Sequence, residues 1–281
     1  MKEKNTKKIA LVGEGGGTRN SFASGVMIGT EIFPEKFSTC FGVSSAFGNF
    51  AYFVSCQREF ALSLWTSELT SRDVFSWSRL ASLKRPADID HLVDKACASL
   101  DRKAVVNSKT RLVGVVARLV DGQTLYVDAT EKNIDSLFKA TCALPILAKP
   151  IKFANGFCVD GGLTDPLPVV EAYRQGFRKM LVIRNKHYVD PYEKFDTPIV
   201  KILRRSPQYA KAIKQRIEKH AKTLAFLKNP PNDLEMLIIA PQTELPCGRF
   251  DKSVEKVTKA FEIGVEQGKQ MKEQVDLFLS N

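Results

Sequence analysis

Histidine is scarce: His91, His187 and His220 are the only three, and none stands in an H-E-x-x-H or other metal-ligand spacing. That scarcity argues against a catalytic zinc and leaves carboxylates as the available general bases. No C-x-x-C pair occurs among the six cysteines, which sit dispersed in apolar or strand-like runs. They read as reduced core thiols of a cytoplasmic protein rather than as disulfide partners or metal ligands. No stretch reaches the roughly 18 consecutive apolar residues of a transmembrane helix. The leading M-K-E-K-N-T-K-K is followed by an apolar run over 9–12 only, too short for a signal-peptide core. Internal repeats and low-complexity tracts are missing too, which excludes solenoid and array folds.

The 281 residues, 44% hydrophobic and 26% charged, suffice for one large α/β domain with its own core. A formal net charge of +11 implies an anionic partner, either a lipid headgroup surface or a nucleic acid.

Residues 8–12 form an apolar run ending in glycines and 22–32 carry apolar residues at helical spacing, so the chain opens as strand, glycine loop, helix. A second such unit follows, with 39–43 as strand, a sharp turn at Ser44 and 45–56 as helix. Two buried strands each feeding a helix predict a parallel sheet covered on both faces. Residues 57–108 loosen into short helical pieces, read as an insertion over one end of the sheet. Beyond it the pattern predicts strands 111–120 and 123–128 turning at Asp121-Gly122, a helix over 133–143, and a strand pair across 151–160 turning at Asn155-Gly156. A helix over 168–175, a strand over 179–185, a helix over 201–228, a strand over 234–240 and a closing helix over 252–279 complete the order.

Three glycine-containing motifs carry chemistry. In G-E-G-G-G-T-R-N-S, residues 13–21, a phosphate-binding P-loop would need Gly and Lys at Thr18 and Arg19, and a dinucleotide fingerprint would need glycine at Thr18 or Asn20. Both nucleotide readings fail there. Three glycines after a strand instead let backbone N–H groups point at a ligand oxygen; the loop is an oxyanion hole if the chemistry is acyl transfer, and a tight connection otherwise. In G-V-S-S-A, residues 42–46, the small residues two before and two after Ser44 fit a nucleophile elbow, while an N-cap serine is the plainer reading. Ser45 has Val43 and Phe47 in those places, so Ser44 is the candidate. In V-D-G-G-L-T-D-P-L-P-V, residues 159–169, Asp160 ends a strand before two glycines. It suits a base if burial raises its pKa, and Asp-Gly by itself also marks a turn. Asp165 reads as a loop or helix-start residue.

In order and spacing these motifs resemble the patatin-like phospholipase family. The family's G-G-G-x-R-G is matched by Gly15, Gly16, Gly17, Thr18, Arg19 and Asn20, and its G-x-S-x-G by residues 42–46. Its D-G-G is matched by Asp160, Gly161 and Gly162, followed by a family-like Leu163, Leu167, Pro168 and Val169. A-T-C-A-L-P, residues 140–145, is similar to the family's A-S-x-A-x-P. The resemblance covers about 8–185. It implies a single patatin-like domain over 1–281: a three-layer α/β/α fold with a mainly parallel central sheet, a helical cap at 57–108, and a C-terminal part, 196–281, of basic helix, strand and closing helix.

The resemblance also implies a serine acyl hydrolase with a Ser-Asp dyad and no metal or other cofactor. Ser44 would attack the ester carbonyl of a phospholipid or lysophospholipid, Asp160 would take its proton and later activate water, and the Gly15, Gly16 and Gly17 amides would hold the oxyanion. Thr18 and Arg19 belong to the same substrate-binding loop, Arg19 to meet a phosphate or to pin the loop. Gly42, Ala46, Gly161 and Gly162 support the turns. Asn20 and Ala46 depart from the family's glycines. Asparagine tolerates positive φ and alanine adds one methyl where helix meets strand. These departures keep open a catalytically impaired lipid-binding or interaction protein.

Residues 201–228 hold nine Lys or Arg against one acid, Glu218, a local charge of +8. Tyr209, Ile213, Ile217, Ala221 and Leu224 recur at helical spacing. That fits peripheral contact with an anionic membrane, and equally a core-packed helix with a solvated basic face. No strong aromatic interleaving favours a nucleic acid.

Overall fold

The structure, a computed structural model, describes residues 8–63, 65–66, 89–187 and 198–280. Its sheet has eight strands: β1 (Ile9–Gly13), β2 (Thr39–Val43), β3 (Arg111–Arg118), β4 (Thr124–Asp128), β5 (Ile151–Phe153), β6 (Gly156–Asp160), β7 (Lys179–Ile183) and β8 (Glu235–Ile239). β3, β2, β1, β7 and β8 lie side by side, each pair parallel, while β4, β5 and β6 are joined by antiparallel pairings. The helices are α1 (Asn20–Gly29), α2 (Ser45–Val54), α3 (Arg58–Ser63), α4 (Ile89–Ser99), α5 (Arg102–Asn107), α6 (Ile134–Cys142), α7 (Val169–Arg174), α8 (Pro198–Arg204), α9 (Pro207–Lys228) and α10 (Val254–Ser280).

Successive residues of the central strands face opposite sides, and both sides are covered. Leu11, Cys40, Leu181 and Ile183 join one core with Phe22 and Val26 of α1, Phe47 and Phe50 of α2, Leu137 of α6 and Val275 of α10. Ala10, Val12, Phe41, Met180 and Val182 join a second core with Val169 and Ala172 of α7, against which Phe226 and Leu227 of α9 pack. Apolar residues at every strand position therefore need helices on both faces, giving the expected α/β sandwich. On the first face α1 and α10 cross backbone to backbone: a Cβ added to Gly264 would lie 2.1 Å from the Phe22 carbonyl, and one on Gly25 the same distance from that of Phe261.

The register of β3 positions the functional residues. β4 pairs with β3 along Val113 to Ala117. β2 pairs with β3 up to Val43↔Val115, and β6 pairs from Asp160↔Val116 onward. Val115 and Val116 each already have a β4 partner, so β2 and β6 share the other edge of β3. The carboxyl ends of these two strands meet head to head there.

Four expectations change in detail. The strand pair across 151–160 turns one residue early, with Ala154 and Asn155 at φ 47 and 60 and Gly156 already in β6. The basic helix is two helices, α8 and α9, because Pro207 at the start of α9 lacks an N–H and holds Ser206 extended at ψ 121. Its packed face coincides with the apolar stripe only in part, at Tyr209 and Ile213. Ala212, Ile213, Arg216 and Thr223 are buried, whereas Ile217 is 50% exposed and Ala221 is exposed as well. Of the 57–108 region, α3, α4 and α5 are described and residues 64 and 67–88 are outside the described residues. α4, α5 and the link between them add Val93, Cys97, Leu100 and Val105 to the first core, and Tyr52 of α2 donates to the Ala96 carbonyl at 2.8 Å. Five of the six cysteines are buried as expected, but Cys56 is exposed.

Candidate active site

At the β2–α2 junction, Ser44 adopts φ 56 and ψ −129, a conformation that a residue with a Cβ occupies only under strain. Close approach of strand and helix enforces it. A Cβ on Gly42 would lie 2.5 Å from Phe47 Cα, so only glycine fits behind the turn. The Ser44 N–H donates to Thr141 Oγ1 at 3.0 Å, and that hydroxyl donates to the Val115 carbonyl at 2.7 Å. Strained backbone at a strand-to-helix serine is the geometry of a nucleophile elbow.

Asp160 arrives at the same place from β6. Its N–H donates to the Ala143 carbonyl at 2.9 Å and its Oδ1 accepts from Gly162 N–H at 2.7 Å. The carboxyl is 2% exposed, and burial pushes its pKa from 3.8 up to about 6. The Ser44 hydroxyl is the largest opposing influence, followed by Gly162 N–H and the charges of Arg249 and Arg216. Oδ2 accepts no hydrogen bond of good geometry. Serine and carboxylate are therefore neighbours, with Oδ2 left outside any bond of good geometry.

Not all three N–H groups of the glycine loop are left unengaged. Gly15 N–H is committed to the Pro166 carbonyl at 3.0 Å, and Thr18 N–H to the Arg249 carbonyl at 3.0 Å. Among the described residues neither Gly16 nor Gly17 N–H has such a partner. Gly17 has φ +61, and a Cβ there would lie 2.1 Å from the Arg249 carbonyl. Asn20 is in the right-handed region at φ −72, so its tolerance of positive φ is not what admits it. It is wholly buried as a polar hub: its Nδ2 donates to the Glu14 carbonyl at 3.0 Å and to Ser45 Oγ at 2.6 Å, and its carbonyl accepts from Asn49 Nδ2 at 2.9 Å.

A cavity of about 330 Å³ joins these parts, lined by Gly15, Gly16, Gly17, Ser44, Asp160 and Gly162, by the apolar Leu144, Pro145, Ile146, Leu147, Leu163, Pro166, Val200, Leu203 and Phe250, and by Arg216 and Arg249. Among the described residues no histidine and no residue of 57–108 lines it. Thr18 and Arg19 do not line it either. The turn over Gly17–Arg19 carries them away: Thr18 Oγ1 donates to the Gly248 carbonyl at 2.8 Å, and Arg19 borders a separate polar cavity of about 340 Å³ with Lys186, His187 and Glu244. Asp165 is a buried residue whose carboxylate accepts from Tyr126 Oη at 2.5 Å. Among the described residues no group of three or more His, Cys, Asp or Glu side chains could hold a metal ion.

Sequence reasoning missed Thr141, Arg216 and Arg249. Thr141 stands in A-T-C-A-L-P, whose likeness to a family segment was the only pointer to it. Arg216 lies one helical turn from Ala212 and Ile213 on the buried face of α9, a spacing hidden because the residue is charged. Nothing in the local sequence marks Arg249.

A model of the patatin-like phospholipase family matches residues 11–173, and a model of a domain of unknown function (DUF6363) matches 206–280. The uncharacterized protein YjjU of Escherichia coli (strain K12) is 26% identical over 276 residues, covering 87% of this chain and 74% of that protein. The crystal structure of VipD from Legionella pneumophila aligns over 96% of this chain and 67% of its own, at 12% identity and a TM-score of 0.48. The 11–173 match spans more than half of the chain and takes in the glycine loop, Ser44 and Asp160: the chain belongs to the patatin-like phospholipase family.

Proposed function

We propose that this chain is a serine acyl hydrolase that cleaves the carboxylic ester of a phospholipid or lysophospholipid through an acyl-Ser44 intermediate. The observation that carries the reading is the strained Ser44 turn set against a buried carboxylate whose pKa is pushed up to about 6. At neutral pH Asp160 is ionised and basic enough to take the Ser44 proton as Oγ attacks the ester carbonyl. The carbonyl oxygen becomes an oxyanion facing the Gly16 and Gly17 N–H groups, each such donor contributing roughly 10²–10³ in rate. Collapse expels the alcohol, which takes the proton from Asp160. Water then enters, gives a proton to Asp160 and attacks the acyl carbon, and Ser44 recovers its proton as the fatty acid leaves. The apolar side chains of 144–147 with Val200 and Leu203 suit an acyl chain.

The outer face of α8 and α9 carries exposed Ile202 and Ile217 among exposed Lys211, Lys214 and Lys222, which supports peripheral contact with an anionic bilayer. No helix of the described residues is long and apolar enough to cross one.

The test is intact mass after exposure to a fluorophosphonate, which phosphonylates activated serines. One adduct on the parent and none on Ser44→Ala is expected, with turnover of a lysophospholipid ester lost in both Ser44→Ala and Asp160→Ala. A folded parent that takes no adduct would turn the reading towards a lipid-binding protein without turnover.

A further inference from the structure

Residues 206–280, which match a domain of unknown function, do more than extend the sheet by β8. They reach the Ser44 cavity at Arg216 and Arg249, and each arginine is fixed against one of the two glycine turns beside Ser44. A guanidinium N–H of Arg216 donates to the Gly162 carbonyl, next to Asp160. The Arg249 carbonyl accepts from Thr18 N–H at 3.0 Å, and its Cγ lies 3.0 Å from the position a Cβ on Gly17 would take. Both side chains then line the cavity.

Asp160 is the only acid lining the cavity among the described residues, against two guanidiniums, and the other lining side chains are apolar except for Ser44. Arg216 is 3% exposed, and a guanidinium held that far from water interacts strongly with any anion admitted beside it. The planar fork of arginine matches phosphate oxygens two at a time. A molecule that satisfies the whole lining has an apolar chain and, close to its ester, an anionic group.

We propose that the 206–280 segment is the headgroup-recognition element of this site, with Arg216 and Arg249 binding the phosphate of an acyl-ester substrate. The assignment rests on the hydrolase reading for the word substrate, but the binding it describes needs no turnover. It gives the segment a function: among the described residues, Arg216 and Arg249 are the only cationic side chains of the cavity lining.

The experiment is calorimetric titration of the full chain with two ethers that the enzyme cannot hydrolyse, 1-O-dodecylglycerol 3-phosphate and uncharged 1-O-dodecylglycerol, each below its micelle concentration. The phosphate ether is expected to bind the parent about tenfold or more tightly than the uncharged one, a difference typical of a charge-assisted pair. In Arg249→Gln that ratio is expected to fall to roughly threefold or less. Arg216→Gln is run in parallel, with thermal unfolding to verify its fold; because Arg216 also holds the Gly162 turn, Arg249→Gln decides the matter if Arg216→Gln does not fold. A ratio near one in the parent, or a parental ratio kept in Arg249→Gln, overturns the proposal. So does inorganic phosphate that binds as tightly as the phosphate ether, which would make the ligand free phosphate. Failure of the hydrolase reading appears separately, as a parent that binds the phosphate ether selectively yet takes no fluorophosphonate.

Discussion

The Ser44 N–H and Thr141 Oγ1 are 3.0 Å apart, and through that hydroxyl the elbow is tied to the Val115 carbonyl of the neighbouring strand. Thr141→Val keeps the shape and removes the acceptor, leaving a buried N–H unsatisfied at a cost of about 1–3 kcal/mol. A lower urea midpoint is expected, together with slower turnover of a soluble ester, and Thr141→Ser should restore both. Destabilisation with turnover intact would mean that the bond holds the fold but does not position the serine.

Ala46 fits because of Gly13. A Cβ on Gly13 would lie 3.0 Å from the Ala46 methyl and 2.7 Å from the Phe50 ring, so the methyl uses room that glycine leaves in β1. Gly13→Ala overpacks that contact and is expected to cost about 1–3 kcal/mol. Ala46→Gly restores the family residue and should cost only about 1 kcal/mol, from helix propensity. Thermal unfolding measures both; a larger loss in Ala46→Gly would show that the methyl sets the elbow's geometry.

The pH dependence follows from Asp160. Its folded pKa of about 6 is above its ordinary 3.8, so the folded state binds this proton more tightly than the unfolded chain does. The stability this confers is fully present below about pH 3.8 and is lost as pH rises through about 6. At pH 8 the ionised carboxylate therefore leaves the fold less stable by roughly 3 kcal/mol than an unshifted group would. Asp160→Asn should raise the denaturation midpoint at pH 8, with a gain that shrinks toward zero near pH 4. Activity runs the other way: kcat/KM of the parent should rise with pH through about 6 as the base ionises. A flat stability difference between parent and Asp160→Asn over that range would remove the buried-base argument.

How far the sequence went depended on how local each signal was. Strand-glycine-helix order is a local pattern, and it located β1, β2, Ser44 and Asp160 because each ends a buried strand in a turn that only small residues permit. How many N–H groups the glycine loop leaves unengaged is not a local property. Whether Gly15 N–H is available depends on Pro166, 151 positions away in the sequence, so three glycines read as three donors when one is already engaged. Likewise Arg19 looked like part of the site by adjacency, but the turn after Gly17 carries it to another cavity. The basic helix misled through composition: a stripe of apolar residues names the buried face only when that face is apolar, and here it carries Arg216 and Thr223. The fold follows from which residues are apolar, whereas the site's charge follows from which polar residues are buried, and periodicity is blind to the second.

Asn20 gives the sharpest test of what its departure from glycine does. If it were a decayed position, Asn20→Gly would be neutral or would improve the loop. Its side chain instead donates to the Glu14 carbonyl and to Ser45 Oγ, and Asn185 Nδ2 donates to the same Glu14 carbonyl at 2.8 Å, so the amide joins the start of the loop, the residue after Ser44 and the end of β7. Deleting it leaves buried polar atoms with fewer partners and opens a void in a fully enclosed position. Asn20→Gly is therefore expected to lower the denaturation midpoint by an amount equivalent to about 2–4 kcal/mol and to slow fluorophosphonate labelling of Ser44. Asn20→Asp, of the same shape but an acceptor in place of the Nδ2 donor, should be worse still, because it sets a carboxylate against the Glu14 carbonyl. Faster labelling in Asn20→Gly would instead mark Asn20 as a brake on the elbow, and the chain as a patatin-like protein tuned away from catalysis.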